Sequence, residues 1–142
     1  MKARHLSVML SAEDKGLIPI SIWNLKSLRT LYVWGKSYQL ESGIDCQDLT
    51  LLSDLTSLRT LDLRYTDFKK LPKEIEKLIH LRYLSYRGLE ELPESISNLS
   101  NLQTLKLNYS RQLRRLPNDM GKMVNLRQLE VECTKLEEVP ET

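Results

Sequence analysis

A chain of 142 residues with a formal net charge of +2, from 21 basic and 19 acidic side chains, is long enough for one continuous core and carries no global field for nucleic acid or an anionic membrane. Its two cysteines, Cys46 and Cys133, make no disulfide framework, and no Cys/His cluster has metal-ligand spacing. No apolar run approaches the ~20 residues a membrane span needs, and the opening leads into a strand-like stretch instead of the core of a secretory signal, so a reducing, cytoplasmic location is expected.

Six stretches share one pattern, an opening leucine or alanine followed by apolar residues at alternate positions: 3–9, 28–34, 58–64, 81–87, 102–108 and 126–132. Period-two alternation puts the inner set, such as Leu84 and Tyr86, on one face of a strand. Between the strands runs a second pattern: Ile18-Pro19…Ile22…Leu25, Leu71-Pro72…Ile75…Leu78, Leu92-Pro93…Ile96…Leu99 and Leu116-Pro117…Met120…Met123. The proline fits the first position of a helical turn, where its missing N–H costs nothing. Acids near the turn starts (Glu74, Glu94, Asp119) and later lysines (Lys77, Lys122) suit a helix dipole. Thr66, Ser110 and Thr134 sit just past strands, where a short hydroxyl can bond turning backbone.

The opening leucines Leu58, Leu81, Leu102 and Leu126 stand 23, 21 and 24 residues apart. That period with L-x-x-L-x-L spacing is the signature of leucine-rich repeats. One strand and one turn cannot bury their apolar faces alone, so the pattern predicts an α/β repeat fold. It is a solenoid of about six repeats, with a concave parallel sheet and short helical or 3-10 segments on the convex side. The chain 1–142 reads as one domain. The step from Leu28 to Leu58 is 30 residues, and the extra length, 35–48, reads as a loop insertion on one face. Neither end supplies a repeat with a polar outer face, so a piece of a longer array, or a chain leaning on partners at both ends, is expected.

Alternate side chains of the strands define the outer face in three columns. The first holds His5, Thr30, Thr60, Tyr83, Thr104 and Gln128. The second holds Ser7, Tyr32, Asp62, Ser85, Lys106 and Glu130, in which Lys106 and Glu130 should be cross-strand neighbours. The third is Met9, Trp34, Arg64, Arg87, Asn108 and Glu132. Tyr, Trp and Arg are the types enriched where protein interfaces concentrate their binding energy. The candidate protein-binding residues are therefore Tyr32, Trp34, Asp62, Arg64, Tyr83, Ser85, Arg87, Lys106 and Asn108. Arg29, Arg59, Arg82 and Arg127 recur just after the opening leucine, a ladder that would suit phosphate but that ordinarily splays into solvent, and no charge excess supports nucleic acid. No nucleotide-cradling glycine motif occurs, and His5 and His80 have no nucleophile arrangement beside them. No catalytic residue, cofactor or metal is expected.

Leu81-Arg82-Tyr83-Leu84-Ser85-Tyr86 before Leu92-Pro93-Glu94-Ser95-Ile96, Leu102-Gln103-Thr104-Leu105-Lys106-Leu107 before Leu116-Pro117, and Arg4-His5-Leu6-Ser7 resemble the repeats of plant intracellular disease-resistance proteins, whose nucleotide-binding domain lies upstream. The resemblance implies a protein-recognition and autoinhibition module of an innate immune receptor. Its partners would be a pathogen effector or a guarded host protein, together with the receptor's own nucleotide-binding domain. The basic stretch 1–36, with six basic and two acidic residues, would face that domain. The Leu-Pro-x-x-Ile-x-x-Leu run is similar also to Ras-group repeat scaffolds, which implies the alternative of bridging a small GTPase or phosphatase.

Overall fold

The computed structural model describes residues 2–10, 18–35, 49–65, 70–132 and 134–137. The six strands β1 (His5–Leu10), β2 (Thr30–Gly35), β3 (Thr60–Tyr65), β4 (Tyr83–Tyr86), β5 (Thr104–Lys106) and β6 (Gln128–Glu130) form one sheet, parallel throughout and in chain order. Among the described residues, five 3-10 turns return the chain between them: η1 (Ile20–Asn24), η2 (Leu49–Asp54), η3 (Lys73–Lys77), η4 (Glu94–Asn98) and η5 (Met120–Lys122). The architecture is the expected leucine-rich-repeat solenoid. The insertion 35–48 falls outside the described residues except for the Gly35 backbone, as do Thr66, Cys46 and Cys133.

The three-residue spacing of the apolar positions is what selects a 3-10 turn, because side chains at i and i+3 eclipse when there are three residues per turn. Leu25, Leu55, Leu78, Leu99 and Met123 each donate their N–H to the carbonyl three residues back, at 3.0 Å in every repeat. Leu28, Leu58, Leu81, Leu102 and Leu126 repeat the same step at 3.0–3.1 Å. The prolines sit one place earlier than expected. Pro19, Pro72 and Pro93 are N-caps with ψ of 134°, 151° and 143°, and their carbonyls accept the first turn's bond from Ile22, Ile75 and Ile96. A proline fixed at φ near −65° accepts such a bond from extended ψ and stops the preceding backbone from continuing into the turn.

The acids of the turns also do something other than cap. None makes a side-chain cap bond in its own turn. Glu76 instead accepts from Asn98 Nδ2 at 2.8 Å and Glu94 from the Asn118 N–H at 3.0 Å, each reaching the next repeat. A single 3-10 turn offers too few aligned peptides for its dipole to hold a carboxylate. Asn101 and Asn125 act likewise, donating at 2.8 Å to the Ile79 and Ser100 carbonyls of the preceding repeat.

The core lies between sheet and turns in vertical columns. Leu31, Leu61, Leu84 and Leu105 stack in register, and on the next inward position Leu63 pairs with Tyr86, with Val33 and Leu107 at the corresponding places of their repeats, all buried. At the ends the same columns are half covered: Leu6 and Val8 in β1, and Leu129 in β6 with Val131 just past it, are only partly buried. Ser110 and Thr134 shape the turns after the strands. Ser110 Oγ accepts the Leu89 N–H at 3.1 Å in the neighbouring repeat, and Thr134 Oγ1 donates to the Val131 carbonyl at 2.8 Å.

Candidate protein-binding face

The register confirms two of the outward columns strand by strand. His5, Thr30, Thr60, Tyr83, Thr104 and Gln128 are successive partners, and so are Ser7, Tyr32, Asp62, Ser85, Lys106 and Glu130. The third column breaks. Met9 pairs with Trp34, but the register slips after Tyr32 so that Trp34 pairs with Tyr65, not Arg64. The Arg64 side chain is outside the described residues. Arg87, Asn108 and Glu132 lie one or two residues past their strands, in the turns, so they flank the sheet face without forming a straight row on it.

At the N-terminal end of the face, apolar surface stands open. Met9 is 73% exposed, Trp34 50% and Tyr32 39%. Trp34 is held upright in part by its Nε1–H, which donates to Ser7 Oγ at 2.8 Å across the β1–β2 pair. An indole fixed by its polar edge presents its ring at little further entropic cost, the arrangement that binding anchors use.

Asp62 and Ser85 correct the expectation of an exposed second column. Both point outward, yet Asp62 is 4% exposed and Ser85 fully buried. They are short side chains among long ones: Tyr32 is in register with Asp62 and Lys106 with Ser85, and Tyr83 rises beside both. Ser85 Oγ has no hydrogen-bond partner among the described residues, an uncompensated group of the kind that costs about 1–3 kcal/mol. Tyr32, Thr60, Asp62 and Tyr83 together line a concave depression of about 360 Å³.

Toward β6 the face becomes polar and tied. Lys106 Nζ lies 5.5 Å from the Tyr83 ring centroid and 3.8 Å from Glu130 Oε1. Glu130 also accepts from Asn108 Nδ2 at 2.8 Å and Gln128 Nε2 at 2.6 Å, and Asn108 Oδ1 takes the Glu132 N–H at 2.9 Å. The expected Lys106–Glu130 neighbourhood is therefore present inside a larger network. Arg87 stacks on Tyr109, 4.9 Å from its centroid. Tyr109, exposed and in the left-handed region at φ 61°, was not among the candidate residues. Aligning the repeats places it where Gly88 (φ +80°) stands one repeat earlier, which was the available signal.

One strand and one tight turn per repeat, stacked in parallel around leucine columns with one sheet face open, define a solenoid repeat protein. The chain belongs to the leucine-rich repeat family: the profile of a leucine-rich repeat region matches residues 2–141. It is 38% identical over 124 residues to the protein SUPPRESSOR OF npr1-1, CONSTITUTIVE 1 of Arabidopsis thaliana, covering 87% of this chain and 8% of that one. It is 36% identical over 111 residues to "Probable disease resistance RPP8-like protein 2" of the same plant, covering 73% of this chain and 11% of that one. Among solved structures, the LRR protein LIC12759 of Leptospira interrogans superposes with a TM-score of 0.71 at 31% identity, over 89% of this chain and 31% of that one. Most of the relatives carry names of plant disease resistance proteins, and the chain spans only 8–11% of the length of these two. Repeat domains of this family are protein-interaction modules with extended concave surfaces. No helix among the described residues is long and apolar enough to cross a membrane.

Proposed function

We propose that this chain is the recognition segment of a cytoplasmic plant immune receptor, binding a pathogen effector or a guarded host protein through its sheet face. The observation that carries this reading is the open cluster of Met9, Tyr32 and Trp34, continued by Tyr83 and Arg87, on a scaffold whose relatives act in disease resistance. Replacing Tyr32, Trp34 and Arg87 together by alanine in the complete receptor should abolish the effector-triggered response. The melt of the 142-residue chain should stay unchanged, since all three side chains stand outside the core. A retained response would move the binding site off this face, toward the 35–48 insertion.

The same segment restrains the receptor before recognition, through the basic stretch 1–36 set against an acidic surface of the nucleotide-binding domain. Arg4 is exposed and Arg29 half-buried at the starts of neighbouring strands, and neither forms an ion pair among the described residues. Arg4→Glu with Arg29→Glu should switch the complete receptor on without effector, read as a constitutive response in leaf tissue. A quiet receptor that still answers effector would remove this stretch from the restraint.

A further inference from the structure

Tyr109 stands in a backbone conformation that its own side chain opposes. Its φ of 61° lies in the left-handed region, where no other non-glycine residue is found among the described residues. For a bulky side chain this is an outlier, kept only where the surroundings over-determine it. Two bonds to the next repeat do so: the Tyr109 N–H donates to the Glu132 carbonyl at 2.8 Å, and the Glu132 N–H to Asn108 Oδ1 at 2.9 Å. Gly88, at the same place one repeat earlier, is the residue this backbone favours. Filling the core does not offset the strain, since Tyr109 is 44% exposed. What its ring touches is the Arg87 guanidinium, 4.9 Å from the centroid and within reach of a cation–π attraction. Arg87 is exposed and forms no ion pair among the described residues. Glu91 and Glu130 are engaged elsewhere, the first with Lys70 at 3.2 Å and the second with Lys106, Asn108 and Gln128.

We infer that Tyr109 is a positioning residue that holds Arg87 ready for one carboxylate, an aspartate or glutamate side chain of the partner protein. A guanidinium is a planar fork that takes a carboxylate through two parallel N–H bonds, and a ring against it removes side-chain freedom before the partner arrives. With Glu90 three residues on and Glu132 past β6, a singly charged carboxylate meets less repulsion here than a phosphate dianion. This rests on reading the sheet face as the recognition surface, and it gives the flank beyond β4 and β5 the charge that the partner must bring.

The test pans the 142-residue chain against a phage library of random dodecapeptides in ~150 mM sodium chloride, then rebinds the selected clones to variants. The selected peptides should be enriched severalfold in aspartate and glutamate over the starting library. Arg87→Lys, a point charge without the fork, should cut their binding by about tenfold. Tyr109→Gly should cut it as far while melting a few degrees higher, because glycine accepts φ 61° and the Arg87 side chain is set loose. The NMR order parameter of Arg87 Nε should fall in the same variant. Tyr109→Asn, which tolerates this φ without glycine's added freedom, should also lose binding, and Tyr109→Phe, which keeps the ring, should retain it. No acidic enrichment, undiminished binding to Arg87→Lys or Tyr109→Gly, or a lower melt in Tyr109→Gly would overturn the inference. The same clones on Tyr32→Ala with Trp34→Ala separate the two readings. Binding lost there but kept in Tyr109→Gly leaves the face as the recognition surface and removes only this pair. Binding kept in every variant takes recognition off the face, and this inference with it.

Discussion

Leu84 and Gly88 stand four residues apart and owe their importance to unrelated causes. Leu84 is fully buried between Leu61 and Leu105 in the central column, so Leu84→Ala leaves a cavity that stacked neighbours cannot collapse into and should cost about 2–5 kcal/mol. At Gly88 nothing lies within 4 Å of an added Cβ, so steric crowding is absent and only the backbone, at φ +80°, objects. Gly88→Ala should therefore cost about 1 kcal/mol. Urea denaturation of both variants checks the pair, and comparable losses would contradict the separation of packing from backbone. At this scale the sequence is legible for Leu84, whose alternation fixes it as interior. It is not legible for Asp62 and Ser85, because alternation sets the direction in which a side chain leaves a strand and says nothing about the height of its neighbours. Tyr32, Tyr83 and Lys106 supply that height.

Turns and strands are legible to different depths. The Ile-x-x-Leu-x-x-Leu spacing prescribes the 3-10 turns down to their hydrogen bonds, since each apolar residue is also a donor or acceptor three places away. Where a strand ends is less legible. The L-x-x-L-x-L pattern runs on to Arg87, Asn108 and Glu132, but the strands end at Tyr86, Lys106 and Glu130, and between the last two repeats only single bonds, Leu107 and Tyr109 N–H to the Glu130 and Glu132 carbonyls, carry on into the turn. The slip that sets Trp34 against Tyr65 follows from no side-chain pattern. Strand starts carry another consequence. The carbonyls of Arg4, Arg29, Arg59, Arg82 and Gln103 each accept two N–H groups from the next repeat, which locks Arg4, Arg29, Arg59, Arg82, Gln103 and Arg127 into one row, with Gln103 separating the last arginine from the other four. Arg4, Arg29, Arg59 and Arg82 follow one another at about the 4.8 Å strand spacing, and none of the arginines in the row forms an ion pair among the described residues. Like charges that close destabilise by a few tenths of a kcal/mol per pair, and added salt screens them. Melting temperature should therefore rise between 10 mM and about 150 mM sodium chloride, where the screening length falls from ~30 to ~8 Å, and the rise should shrink in Arg59→Gln with Arg82→Gln. A salt-independent melt would mean the guanidinium groups splay too far apart to interact.

Across the whole stack, each repeat touches only its neighbours, so stability is close to a sum of repeat and interface terms and the ends have one interface fewer. The burial pattern shows that deficit directly. The leucine columns are closed from β2 to β5 and half open at Leu6, Val8, Leu126 and Leu129. Side-chain bonds join neighbouring repeats at both ends, His5 to Thr30 and Trp34 to Ser7 across β1–β2 and, farther along, through Asn98, Asn101, Glu94 and Asn125. Sheet pairing narrows from six residue pairs between β1 and β2 to three between β5 and β6. Opening free energies should then be graded along the chain instead of uniform. In native-state hydrogen exchange, the amides of Leu84 in β4 and Leu61 in β3 should be protected to the full unfolding free energy. Those of Leu129 and Val8 should open at a fraction of it, because Val8 lacks a covered column above and Leu129 below. Attaching further repeats at either end should raise the protection of that end alone, by covering its column. If instead all strand amides exchange through one opening, the chain behaves as a single cooperative unit and the half-open columns are no weak points.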